Sequence, residues 1–116
     1  VQGRSPEDAE RILADARALE AAGVEMIVLE CIPADLGRRI SEALVIPTIG
    51  IGAGPACDGQ VLVSYDLLGL TPGRRPRFSH DFLSEQPPGK GIADAIHAYV
   101  RAVREGRFPG PEHSFE

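Results

Sequence analysis

Tryptophan is absent from this chain, and sulfur and aromatic side chains are scarce. There are two Cys, one Met and an aromatic share of 5% among 116 residues. Cys31 and Cys57 lack metal-ligand spacing, and one possible pair is no disulfide framework, so a reduced, cytoplasmic protein is expected. No apolar run approaches the ~20 residues that span a bilayer. The opening Val1-Gln2-Gly3-Arg4 is polar and has no apolar core of a secretory signal. It also lacks Met, which suggests that Val1 is not a natural beginning. Positive charge is thin: 12 Lys and Arg against 17 Asp and Glu, a formal net charge of −5. Nucleic acid needs a clustered basic face, so it is not an expected partner. The densest basic stretch, Arg74-Arg75-Pro76-Arg77, suits a phosphate or a carboxylate, but reads first as a solvated loop.

What is present is a globular composition, 43% hydrophobic and 25% charged, of a length that suits one domain. Ser5-Pro6-Glu7-Asp8 starts a helix: Ser5 caps free backbone N–H groups, Pro6 suits the first helical position, and the acids complement the dipole. Ala9, Ile12, Leu13, Ala16 and Leu19 form its apolar face, and Gly23 ends it. Met26 to Leu29 runs apolar without alternation, which predicts a parallel strand covered on both faces. Pro33 opens a second helix with Leu36, Ile40, Ala43 and Leu44 as its stripe.

A second buried strand, 47–51, runs into Gly52-Ala53-Gly54. This alternation is the rhythm of βα units and predicts an α/β fold. A third strand is expected over Gly59–Tyr65, although a parallel crossover as short as 52–59 is unusual. The alternative is a helical turn near 55–58, or a segment that is itself partly helical. Residues 69–91 read as a long irregular connection. A last helix spans Ile92–Glu105, with Ile92, Ile96, Tyr99, Val100 and Val103 on one face. Three parallel strands leave open apolar edges, so the sequence asks for more protein than it contains.

In parallel α/β folds, chemistry sits at the C-terminal ends of the strands. Glu30 holds that position, and partial burial there makes a carboxylate a better base near neutral pH. The bland reading is a Glu that caps the next helix or pairs with Arg38, and position alone leaves both open. Gly50-Ile51-Gly52-Ala53-Gly54 permits close approach of an anion, but tight turns need glycine for steric reasons alone. Cys31 has no assignable histidine partner and is not expected to be a nucleophile. Cys57 reads as a solvent-side loop residue, and His97 as a surface or core histidine. His80 and His113 reach a ligand only through loops, and Asp58 and Asp66 suit turns or caps.

Five segments become specific together, in order and spacing. They are Val1-Gln2-Gly3-Arg4, Leu29-Glu30-Cys31-Ile32-Pro33, Ile49-Gly50-Ile51-Gly52-Ala53-Gly54, Asp58-Gly59-Gln60-Val61-Leu62-Val63, and Phe108-Pro109 with Glu112-His113-Ser114-Phe115. The series resembles the C-terminal portion of the ketopantoate hydroxymethyltransferase (3-methyl-2-oxobutanoate hydroxymethyltransferase) family, over essentially the whole chain. The resemblance implies a parallel (β/α)8 TIM barrel of the phosphoenolpyruvate/pyruvate type. Residues 1–116 would be a single domain fragment supplying about the last three strands, a helix and a tail. It implies transfer of a one-carbon unit from 5,10-methylenetetrahydrofolate to 3-methyl-2-oxobutanoate, giving ketopantoate for pantothenate biosynthesis, with Mg²⁺, in a cytoplasmic homo-oligomer.

By that resemblance Glu30 is the catalytic base, and Ile51, Val61 and Val63 line the pocket around the substrate's isopropyl end. The family's magnesium ligands, and its substrate-binding serine, lysine and histidine, belong to earlier strands that are not in this sequence. No metal site is therefore assigned here, and the chain alone is expected to have no measurable turnover. The alternative from another class is a non-catalytic half-barrel module that docks on a partner chain. A different barrel enzyme acting on a 2-oxo acid is disfavoured by the Glu-His-Ser-Phe tail.

Overall fold

A computed structural model describes all 116 residues. Helix α1 covers Pro6–Ala21. The Ser5 hydroxyl accepts the Asp8 N–H at 3.2 Å, and Glu7 and Asp8 lie in the first turn, as the sequence predicts. Gly23 follows with φ +98°, the left-handed conformation that ends helices. Strand β1 (Ile27–Glu30) leads to α2 (Ala34–Ala43), which starts after Pro33 without a side-chain cap. Strand β2 (Thr48–Ile51) pairs in parallel with β1, joining Ile27 to Thr48 and Glu30 to Ile51.

Helix periodicity and strand alternation put the same residues on one layer. Leu13 and Ala16 of α1, Leu29 of β1 and Leu36 and Ile40 of α2 are buried in one cluster that also takes Leu44 and Ala53. Ile40 and Thr48 are fully enclosed. Burying aliphatic side chains of this size contributes about 1.5–3 kcal/mol each. The Thr48 hydroxyl is satisfied by the Ser41 hydroxyl at 2.7 Å and by Asp58 Oδ2 at 3.1 Å. Asp58 Oδ2 also accepts the Thr48 N–H at 2.8 Å, so this carboxylate ties the crossover back to β2.

The third strand is shorter than predicted. β3 comprises only Gly59–Gln60, parallel to β2, and Ser64–Leu67 is a helical turn, α3. The crossover at 52–58 contains turns but no helix. Such a short connection is held by side chains: Asp58 on Thr48, and Gln60 Nε2 donating to Gly54 O at 3.0 Å. The sheet is therefore three parallel strands in the order β1-β2-β3, in an α/β chain.

Two other expectations change. β1 is not covered on both faces: Leu29 is buried under the helices, but Val28 and Glu30 on the other side are exposed. Helix α4 (Ile92–Arg104) forms where predicted but packs through Ala95 and Ala102, with Tyr99 and Val103 alongside. Ile92 and Ile96 face outward. The alanines let the helix approach Leu67, Phe82 and Phe108 closely, which larger side chains would prevent. The segment 69–91 is irregular, as expected, and is pinned by Phe82 and by Asp81, whose Oδ1 accepts the Leu83 and Ser84 N–H groups.

Candidate active site on the open face of the sheet

Side chains alternate along a strand, and register partners in a parallel sheet share a face. Val28 pairs with Ile49, Glu30 with Ile51, and Gly59 with Ile49. A Cβ on Gly59 would meet Ile49 Cδ1 at 2.9 Å, which puts β3 on the same side. Continuing that alternation, Val61 follows Gln60 and its N–H donates to Gly50 O at 3.0 Å. Glu30, Ile51 and Val61 thus belong to the face turned away from α1 and α2. Val63 lies beyond the end of β3 as the residue that caps α3, so the strand expected to put Val61 and Val63 on one face does not extend that far. No helix covers this face: Val28 and Val61 are 57% and 42% exposed, and Val63 beyond the strand is 56% exposed.

Glu30 is exposed at its rim, so the shelter expected of it is not supplied by this chain. The bland roles are not supplied either. Arg38 pairs with Asp35 and, at 3.6 Å, with Glu42 along α2, and α2 has no side-chain cap. The Glu30 carboxylate takes part in no salt bridge.

The backbone beside Glu30 is constrained. Cys31 has φ +52°, a left-handed conformation uncommon for residues other than glycine. Three backbone bonds hold it: Cys31 N–H to Ile51 O at 2.9 Å, Ile32 N–H to Gly52 O at 3.1 Å, and Gln2 N–H to Cys31 O at 3.0 Å. Strain of this kind, worth about 1–3 kcal/mol, persists only where neighbours over-determine it. No sequence signal marks it, because cysteine has no preference for such a turn. The Cys31 thiol is pushed above its usual range, first by burial and then by the charge of Glu30. A raised pKa leaves less of the nucleophilic thiolate near neutral pH.

The glycine turn is explained by close packing. Cβ atoms on Gly50, Gly52 and Gly54 would meet Cys57 Sγ at 2.9 Å, Phe78 Cδ1 at 2.9 Å and Ala34 Cβ at 2.5 Å. Between the two readings of this motif, the steric one has the observations. Cys57 is correspondingly not a solvent-side residue: it packs against the main core, and burial pushes its thiol up. Sequence reasoning missed the aromatic pair at this turn. Phe78 and Phe115 both stand over Gly52, and Phe115 O accepts the Ala34 N–H at 2.9 Å.

The remaining candidates lie elsewhere. His80 and His113 meet in the second cluster, with rings 5.4 Å apart, beside Phe108 and away from Glu30. His80 Nε2 is 2.6 Å from Glu85 Oε1. Asp66 is buried and accepts the Thr71 hydroxyl at 2.6 Å, a turn role, while His97 is exposed. No group of three or more His, Cys, Asp or Glu side chains comes together in a way that could hold a metal ion. No helix is long and apolar enough to cross a membrane.

Comparison with known proteins adds a second line. The profile of the family described as ketopantoate hydroxymethyltransferase matches residues 1–111. A protein of Alkalilimnicola ehrlichii named 3-methyl-2-oxobutanoate hydroxymethyltransferase is 60% identical over 99% of this chain and 40% of its own length. Proteins of the same name from Halorhodospira halophila and Burkholderia multivorans are 56% and 54% identical over 100% and 99% of the chain, each over 41% of its own length. The chain thus spans about two fifths of these relatives.

Proposed function

The chain belongs to the ketopantoate hydroxymethyltransferase family, and from that premise we propose that it is one wall of a hydroxymethyltransferase active site with Glu30 as the base. The observation that carries the proposal is the open face of the sheet. Glu30 stands at the end of β1 with Ile51 opposite it, Val61 continues the apolar surface with exposed Val63 two residues on, and no cap or ion pair occupies the carboxylate. In this reading residues 1–116 form a single domain fragment, about the last three strands of a (β/α)8 barrel. The rest of the barrel covers Val28, Val61 and Val63 and shelters Glu30.

The reaction joins a one-carbon unit from 5,10-methylenetetrahydrofolate to 3-methyl-2-oxobutanoate, giving ketopantoate. Glu30 removes the proton from the carbon beside the ketone: the C–H pair passes into the enolate and the proton ends on the carboxylate. The resulting carbanion forms the new C–C bond to the methylene carbon. Both C–N bonds of that carbon break with their electron pairs staying on the folate nitrogens, water supplies the hydroxyl oxygen, and tetrahydrofolate leaves carrying the two protons. A positioned general base contributes about 10²–10⁴-fold. Ile51, Val61 and Val63 hold the isopropyl end against an apolar surface, which orients the acidic carbon. This chain offers no donor set for Mg²⁺; in this reading the ion's ligands belong to the earlier strands, where it would act as a Lewis acid on the ketoacid. A homo-oligomer in the cytoplasm completes the proposal.

The test is reconstitution. The chain is mixed with the remaining N-terminal portion of its own barrel, and ketopantoate formation is followed. Restored turnover that falls at least ~100-fold in Glu30→Gln is expected, with KM for the ketoacid little changed. Full activity of the Gln variant would remove Glu30 from the mechanism. The second reading, a docking module without chemistry, is favoured by the same exposed apolar face, and predicts a stable complex with no turnover.

A further inference from the structure

The proposed reaction makes no use of the arginine-rich stretch at 74–77, yet the fold brings that stretch to the rim of the sheet. Arg74, Arg75, Pro76, Arg77, Phe78 and Phe115 line a cleft of about 370 Å³. Its inner wall is set by packing on the glycine turn, where a Cβ on Gly52 would meet the rings of Phe78 and Phe115 at 2.9 and 3.2 Å. Gly52 adjoins Ile51, the register partner of Glu30, and its carbonyl accepts the Ile32 N–H at 3.1 Å. The cleft therefore lies at the C-terminal end of β2, against the glycine turn and one strand over from the end of β1 that carries Glu30.

Its outer wall is basic and only partly neutralised. Arg75 is committed, donating to Gly69 O at 2.7 Å and pairing with Asp81 at 3.5 Å. Arg77 donates to Glu112 O at 3.1 Å and lies 5.8 Å from the centre of the Phe115 ring. Neither Arg77 nor Arg74 has a carboxylate partner. Guanidinium groups present paired donors that match carboxylates, and phenyl faces favour a flat ring.

We propose that this cleft anchors the carboxylate-bearing tail of the folate donor, the glutamate and any γ-linked glutamates after it, through Arg74 and Arg77. The proposal rests on the transferase reading of the sheet face and adds a donor-anchoring site to it. Phe78 and Phe115 supply the apolar wall, and the one-carbon end reaches over the glycine turn toward Glu30. The arginines are exposed, so each contact is modest and the pair amounts to about tenfold in affinity. Salt weakens it.

The full 116-residue chain is titrated with γ-linked pentaglutamate, without a pterin, while the Phe78 and Phe115 NMR signals are followed. Pentaglutamate is expected to bind about tenfold more tightly than glutamate, and to lose that advantage in Arg74→Ala/Arg77→Ala. Arg77 holds the tail, so Arg74→Glu is the independent variant: Arg74 has no partner to lose, and its reversal should weaken pentaglutamate at least as much as the double variant. Absence of binding, or equal binding by all variants, overturns the proposal. Tighter binding of pyrophosphate than of pentaglutamate overturns the carboxylate assignment.

These arms contain no ketoacid and measure no turnover, so they are independent of Glu30. Turnover that depends on Glu30 without pentaglutamate binding sinks the anchor alone. Pentaglutamate binding with a fully active Glu30→Gln enzyme sinks the base alone.

Discussion

At the residue scale, the acidic side chains are separated by their partners. Glu30 has a strained neighbour and a carboxylate free of salt bridges, whereas Asp58 spends its carboxylate on Thr48 and Asp66 on Thr71. The histidines divide in the same way. His113 Nδ1 accepts the Gly110 N–H at 3.0 Å, which requires the neutral ring. Burial holds its pKa below the usual histidine range; Glu112, 3.8 Å away, opposes that shift and His80 adds to it. His80 in turn contacts Glu85, and Arg107 lines the same cleft. Because the folded state disfavours the proton, His113 contributes stability above about pH 6.5, and loses it as pH falls through its lower folded pKa. Thermal unfolding should therefore occur at lower temperature as pH drops from about 7 to about 5. His113→Phe should flatten that slope, and an unchanged slope would refute the assignment.

At the scale of elements, helix α4 and strand β3 show how packing overrides pattern. The apolar residues of α4 admit two faces, and the one used is the side where Ala95 and Ala102 allow close contact. Substitutions should report this directly. Ala102→Leu should cost about 1–3 kcal/mol by overpacking, while Ile96→Lys should stay within about 0.5 kcal/mol. Denaturant unfolding of both variants checks it, and the reverse ranking would restore the face read from periodicity. In β3 the strand-like run Val61-Leu62-Val63 has no second neighbour to pair with, so it leaves the sheet and Ser64 begins a helical turn.

At the scale of the whole molecule, the chain behaves as an open layer. Its radius of gyration is 15.2 Å, with extents of 48 × 26 × 21 Å, against about 13 Å for a compact domain of this length. Helices cover one side of the sheet, while Val28 and Val61 expose the other. A surface of that kind associates when left bare. Sedimentation of the isolated chain should show concentration-dependent self-association. Adding the part of a relative that this chain does not span should convert it to one defined species. A strictly monomeric chain over a wide concentration range would argue against an uncovered sheet face.

The sequence by itself determined α1, β1, α2 and β2 almost to the residue, because their signals are local: the Ser5-Pro6 start, the Gly23 stop, the Pro33 start and the periodicity of Leu36, Ile40 and Leu44. It also carried five motifs in register, and the family followed from them. Only the tertiary structure decided the rest. It exposed Glu30, enclosed Cys57, bent the backbone at Cys31 and carried Phe115 onto Gly52. Those outcomes depend on what lies against each face, and contacts between residues far apart in the chain leave no periodic trace along it.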